Sequence, residues 1–436
     1  MKIALNGFAI FCLASVVWAD GKAPDFSKPL SAEECVGIAQ AQSPSMVKAK
    51  AGVTEASAGR QSAWSGLVPQ VTSQGSYSKS GPITSGYFLS SKGQLTSYNG
   101  ATYSGSLNAS QSLFDVGTFA QVVQANKSLE AAKAGERGAR EQLAYNVKQA
   151  YYTLVKARKT VQVAQSQLDQ SAEQEKRFRE MKRLGSISQS DLLKVQVQLS
   201  QSKTDLLMAQ NSEAVSRANL CAGMGVDVNS PVQVIDEIAY EEKAPNLNEM
   251  QARSQKQRPD LAQARATLSG YKVAATAAKG QYLPRLSAGA GYSYRDPQFP
   301  ESWQYVKERY TWNVGLNASW TIFDGLVTHA NIRTADARKA ASEADLRAAQ
   351  QSAEVEVKQA YLNYTLMLEK LKLARETLGG AEEDYRLTSE KQRLGAATTL
   401  DLLTSQATLT QARVQEASTL CDLKIAEAAI AKAIGE

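Results

Sequence analysis

Few side chains in this sequence are equipped for chemistry. Its 436 residues hold a single histidine, His329, and no cysteine stands at metal-ligand spacing with it or with another cysteine. No serine elbow and no phosphate-cradling glycine loop occurs along the chain. Catalysis, a cofactor and a bound metal therefore find no support in residue type or spacing. What stands out instead is a pair of aspartates, Asp191 and Asp401, each six residues beyond a glycine, Gly185 and Gly395, in matching phrases. Like carboxylates gathered around an opening favour cations and hold hydrogen-bonded latches. A lone aspartate in a first helical turn simply offsets the N-terminal dipole. Spacing alone leaves both roles open.

The elements that carry these aspartates are long helices. From Leu143 the apolar or small positions fall at Leu143, Val147, Ala150, Leu154, Ala157, Val161, Ala164 and Leu168, the heptad spacing of a helical seam with no proline inside it. The roughly 70 residues between Asp115 and Gly185 make a rod of about 100 Å. The same seam returns as Ala353, Val357, Ala360, Tyr364, Met367, Leu371, Ala374 and Leu378, at a constant offset of 210 residues. Val147-Lys148-Gln149-Ala150-Tyr151 recurs as Val357-Lys358-Gln359-Ala360-Tyr361, and Arg183-Leu184-Gly185 as Arg393-Leu394-Gly395. The period is too long for a short solenoid repeat and marks an internal duplication.

Lys2, an apolar run from Ala4 to Val17 and small residues up to Ala19 predict a secretory signal peptide over 1–19, with Cys12 inside it. After Asp20 no stretch approaches the roughly 20 apolar residues of a transmembrane helix. Loss of Lys2 lowers the formal net charge from +6 to +5. The charges are interleaved along helix faces, and no basic stripe points to nucleic acid. Cys35, Cys221 and Cys421 remain; helix topology puts Cys35 and Cys221 both near mid-height, where a disulfide in an oxidising compartment and simple apolar packing are the two readings.

The first repeat is expected over 20–225 and the second over 248–436, with an equatorial linker at 226–247. The first opens with a helix from Ser31, where Glu34 completes a capping box and Leu30 can staple against Cys35, and ends before Pro69. Its counterpart starts at Asn248, with Gln251 three residues on, and ends before Pro284. After each proline the period changes from helical to two, predicting β-hairpins at 68–114 and 285–323. Ala101, Tyr103, Gly105, Leu107, Ala109, Gln111 and Leu113 alternate with serine, threonine and asparagine, and Trp312, Val314, Leu316, Ala318, Trp320 and Ile322 do the same. Weaker strands, Val71 to Lys79 and Leu286 to Arg295, precede them across polar loops, with tyrosines and tryptophans clustered near the strand ends. Segments of about 10 residues with one apolar and one uncharged hydrophilic face suit a membrane barrel. Four strands cannot close one, and an open edge is not tolerated in lipid. Two, three or four copies would pool about eight, twelve or sixteen strands, so oligomerisation follows although its number does not.

Asp115 and Asp324 are the expected N-caps of long helices over 115–184 and 324–394. Gly185 and Gly395 then permit tight reversals, and Ser188 and Thr398 restart helices over 188–224 and 398–434. Each shorter helix plus a repeat's first helix stacks to the length of one rod. Asp227 to Pro245, with Pro231, a Val232-Gln233-Val234-Ile235 run and an acidic cluster, reads as a small belt at mid-height.

With these residues assembled, the chain resembles the TolC-type outer-membrane efflux proteins over nearly all of its length. The resemblance is carried by Pro69 and Pro284, by Leu113-Phe114-Asp115-Val116-Gly117 and Ile322-Phe323-Asp324-Gly325, and above all by two turn motifs. These are Arg183-Leu184-Gly185-Ser186-Ile187-Ser188-Gln189-Ser190-Asp191-Leu192-Leu193 and Arg393-Leu394-Gly395-Ala396-Ala397-Thr398-Thr399-Leu400-Asp401-Leu402-Leu403. It implies a mainly α, duplicated fold: a homotrimer whose long coiled-coil α-helical barrel crosses the periplasm below a twelve-stranded outer-membrane β-barrel, four strands coming from each chain and facing outer-membrane lipid. It further implies an export duct for small molecules or proteins. Arg183, Leu184, Gly185, Ser186, Ile187 and Ser188, with Arg393, Leu394, Gly395, Ala396, Ala397 and Thr398, would form a tip met by a periplasmic adaptor protein of an inner-membrane transporter. Asp191 and Asp401 fall where the family places gate residues. Thr404 stands where the best-known members carry another acidic residue, so a second acidic ring does not transfer. The alternative from a different class is a non-conducting trimeric coiled-coil stalk or adhesin, which would need neither paired hairpins nor two equivalent turns at one end.

Overall fold

The computed structural model describes residues 26, 28–80, 86–89, 95–98, 100–236, 246–297, 299 and 303–436. The expected signal peptide and most of the linker's acidic cluster lie outside them. In chain order the elements are α1 (Ala32–Gln42), α2 (Pro44–Ser65), β1 (Gln70–Lys79), β2 (Gly86–Leu89), β3 (Leu95–Tyr98), β4 (Ala101–Phe114), α3 (Val116–Arg183) and α4 (Gln189–Met224) in the first half. The second half holds α5 (Leu247–Gln257), α6 (Pro259–Gly280), β5 (Arg285–Asp296), α7 (Trp303–Arg309), β6 (Tyr310–Ser319), α8 (Val327–Arg393) and α9 (Thr399–Ile434).

The two rods form as their heptads require. α3 runs 68 residues and α8 runs 67 without interruption, and no position of either predicted seam is exposed. α4 packs along α3 and α9 along α8, while α2 and α6 cover the remaining lengths of the rods. No helix among the described residues is long and apolar enough to cross a membrane.

Four expectations need correction. The helix expected from Ser31 to before Pro69 is broken at Ser43, and its counterpart at Arg258, because Pro44 and Pro259 lack the amide hydrogen that an unbroken helix would use and force their predecessors out of helical geometry. The second repeat's first helix is capped by Asn246, whose side chain accepts from Asn248 N–H, rather than starting at Asn248. α8 is not capped at Asp324: Leu326 occupies the N-cap with φ +71°, and the Asp324 carboxylate instead accepts from Thr328 N–H at 2.7 Å. The last strand stops at Ser319, leaving Trp320 and Ile322 outside it, with Trp320 Nε1–H donating to the Tyr282 carbonyl at 2.9 Å. The hairpin loops also carry elements of their own, the β2–β3 ribbon and α7.

The strands pair antiparallel in the order β1-β4-β5-β6. Register puts Tyr77 beside Tyr103, and sets Leu107, Tyr292 and Trp312 in one row and Ala109, Ala290 and Val314 in the next, all on one face. Trp312, Val314 and Leu316 are 68%, 73% and 72% exposed there. The opposite face carries Ser76 hydrogen bonded to Ser104 at 2.7 Å and Ser293 to Thr311 at 2.9 Å. Gly291 lies between Asn108 and Asn313 on that face, and a β-carbon there would meet Asn313 Oδ1 at 2.5 Å, so only glycine lets both amides share the row.

Mid-height is closed by the linker. Leu30 N–H donates to the Gln233 carbonyl at 2.8 Å, and the Tyr151 hydroxyl reaches the carbonyls of Leu30 and Ile235 at 3.1 Å each. Cys35, Cys221 and Cys421 are all buried in the core cluster beneath, with Val147, Leu154 and Met224. All three thiols are free, so the apolar-packing reading holds over the disulfide. Burial pushes the Cys35 and Cys421 thiols up to about 12.

Candidate functional site

The site starts with two reversals built alike. Lys182 and Arg183, and Lys391 and Arg393, place positive charge in the last turns of α3 and α8, offsetting the dipoles. Gly185 and Gly395 then take φ +75° and +76°, while Ser186 N–H returns to the Met181 carbonyl at 2.9 Å and Ala396 N–H to that of Lys391 at 2.8 Å. Leu184 and Leu394 are left 70% and 79% exposed at the two apices. Arg183, Ser186, Ser188, Arg393, Ala396 and Thr398 are exposed around them, and Ile187 and Ala397 are half-buried. Ile187 packs onto Phe178, Leu192 and Val195 inside the first hairpin.

Each aspartate is bonded within its own turn. Ser188 Oγ accepts from Asp191 N–H at 3.1 Å and donates to Asp191 Oδ2 at 2.6 Å. Thr398 Oγ1 does the same for Asp401 at 3.1 and 2.7 Å, and Thr398 N–H donates to Asp401 Oδ2 at 2.9 Å, completing a capping box. The Ser188 hydroxyl, aided by Lys194, holds the Asp191 carboxyl below the usual carboxylate range, and the Thr398 hydroxyl and amide do so for Asp401. Thr404 is exposed on α9 one turn further on, and His329 is exposed on α8.

Above the turns, apolar clusters lie within the hairpins and hydrogen bonds link one hairpin to the other. Inside each hairpin apolar clusters, Phe178 with Leu192 and Val195 in one and Ala381 with Leu409 and Ala412 in the other, stand beside polar contacts such as Ser171 to Ser202 at 3.0 Å and Gln196 to Glu175 at 3.3 Å. Between the hairpins, Arg177 donates to Gln392 Oε1 at 2.8 Å and Thr410 Oγ1 to Gln167 Oε1 at 2.6 Å, which also places both turns at the same end of the chain. Gln406, 1% exposed, has neither side-chain polar atom bonded. Glu175, 5% exposed, is desolvated, yet bonds from Arg179 and Gln196 keep its carboxyl low.

Sequence reasoning missed these buried polar groups, since a glutamine or glutamate on a helix reads as surface. It also missed the sites where the columns join. Gly225 ends α4 with φ +76° against the Ser43 break, and Gly435 ends α9 with φ +85° against the Arg258 break. Arg258, 8% exposed, holds Asp260, Glu356 and the Ala433 carbonyl together there. The Ser-Pro and Arg-Pro pairs were the available signal.

Known proteins match this architecture. The outer membrane protein TolC of Vibrio cholerae is 21% identical over 430 residues, spanning 98% of this chain and 93% of that protein. The CmeC outer membrane channel of Campylobacter jejuni superposes with a TM-score of 0.80 at 17% identity, covering 93% of this chain and 85% of that one. The MtrE outer membrane channel of Neisseria gonorrhoeae, in its open state, gives 0.77 at 18% identity, covering 93% and 88%. A stalk or adhesin finds no counterpart among them. Residues 36–226 and 252–436 match the outer membrane efflux protein family, a transport family, and the chain belongs to it, as an export channel of the outer membrane extending into the periplasm.

Proposed function

We propose that the chain acts as a homotrimeric passive duct, with its signal peptide removed over 1–19. The observation that carries this reading is the sheet: four strands with one apolar face, one hydroxyl and amide face, and two open edges. β1 and β6 run antiparallel to each other, so β6 of one copy can pair with β1 of the next and continue the alternation around a closed barrel. Exposed stripes on the rods support copies meeting along their length as well: Leu193, Val197, Met208 and Val215 on α4, and Val355, Leu362, Leu366 and Leu373 on α8.

In this reading the two turns form the periplasmic tip. Leu184 and Leu394, flanked by the small residues Gly185, Ser186, Gly395, Ala396 and Ala397, offer a surface onto which the helices of an adaptor pack, linking the duct to an inner-membrane transporter. Asp191 and Asp401 line the closed end as a carboxylate constriction, with the neutral Thr404 beyond. The hydrogen bonds between the hairpins, Arg177 to Gln392 and Thr410 to Gln167, support a closure that separates while the apolar clusters within each hairpin stay intact. The mass of the detergent-extracted oligomer tests the assembly: three chains support it, and a stable monomer contradicts it.

A further inference from the structure

We propose that Arg295 forms a cationic selectivity ring at the outer mouth of the barrel. The inference rests on the trimeric duct reading and concerns the end opposite the aspartates. The four strands of the main sheet contain four ionised residues, Lys79, Arg285, Arg295 and Asp296. Register sorts them by face. Lys79 lies opposite Ala101 and Asp296 opposite Tyr103, on the face of Tyr77 and Trp312 that meets lipid, and Asp296 is paired there with Arg309. Arg285 lies on the hydroxyl and amide face at the helical end of β5, where it sits 3.8 Å from the Asp115 carboxylate that caps α3.

Arg295 combines features that none of the other three combines. It pairs in register with Ser104, whose hydroxyl is bonded to Ser76, so it belongs to the polar face that lines the lumen. It is exposed, and it has no ion pair or hydrogen bond among the described residues. It stands at the far end of β5 from the helices, which is the exterior end. Its surroundings on that face, Ser76, Ser104, Ser106, Ser293 and Thr311, are uncharged hydroxyls. Three copies therefore place three unpaired guanidinium groups at one height at the exterior end of a polar face whose other strand charge, Arg285, lies at the helical end beside Asp115. A single-sign ring in a low-dielectric rim concentrates counter-ions, here anions. The tip carboxylates favour the opposite sign, so the two ends of the duct are electrostatically polarised.

The test is the reversal potential of single pores in a potassium chloride gradient, comparing wild type with Arg295→Gln and Arg295→Glu. At about 0.01 M salt, where screening extends over about 30 Å, the potassium-to-chloride permeability ratio is expected to rise about twofold to fivefold in the glutamine variant and further in the glutamate variant. Near 1 M, where screening falls to about 3 Å, the three proteins should converge. Equal reversal potentials from conducting pores at low salt would overturn the ring alone. Failure of the wild-type oligomer to conduct would overturn the duct reading, and the ring with it.

Discussion

At the scale of single residues, Asp191 and Asp401 have a structural role in each chain whatever they do in an assembly. Their carboxyl groups titrate below the usual carboxylate range because Ser188 and Thr398 bond to the ionised form. A lowered folded value means that the capping contribution is complete above about pH 4 and is lost as pH falls through that lowered value. The opening of the amides across 186–191 and 396–401, read as exchange corrected for the intrinsic pH-dependent rate, should therefore be flat between neutral and weakly acidic pH and rise only in stronger acid. A rise near neutrality would contradict the assignment. Ser188→Ala and Thr398→Ala should each weaken their turn by about 1 kcal/mol, read in the same exchange experiment. The caps were legible in the sequence because Ser-x-x-Asp and Thr-x-x-Asp carry their partner three residues away. Gln406 was not, because its burial depends on tertiary packing that helical spacing does not show. Replacing it by leucine removes two buried polar atoms without partners, so Gln406→Leu should raise stability by about 1–3 kcal/mol. A lower thermal midpoint for the variant would show that the amide is satisfied after all.

At the scale of elements, unbroken heptads over two repeats made the rods readable, since nothing but a long helix keeps a seam in register for that distance. The breaks at Ser43 and Arg258 were harder, because helical spacing resumes on both sides of each proline. The joints they create are demanding. A β-carbon at Gly225 would lie 2.9 Å from the Gln42 carbonyl oxygen and Ser43 Cα, whereas one at Gly185 would meet nothing within 4 Å, although the two residues share nearly the same φ. Gly185→Ala should thus cost only the left-handed backbone penalty, about 1 kcal/mol, and Gly225→Ala distinctly more. Equal thermal shifts for the two variants would mean that the column ends are not in tight contact. The strands were recognised by their period of two, but Trp320 and Ile322 continue the alternation beyond the last ladder bond, so the pattern overran the strand.

At the scale of the whole molecule, a single chain leaves exposed what an assembly would cover: Trp312, Val314 and Leu316 on the sheet, two strand edges, and apolar stripes on α4 and α8. The alternating strands led the sequence reading to a closure shared between copies, because four strands cannot enclose a lumen. It could not supply the number of copies from physics, since alternating strands close equally well for several. The central claim is a conducting membrane duct narrowed at the two turns. Its most direct test is the single-channel conductance of the detergent-extracted oligomer in a planar bilayer, wild type against an Asp191→Ala, Asp401→Ala double variant. The account predicts small, cation-preferring steps that enlarge in the variant; a well-folded oligomer that carries no current in either form would contradict it.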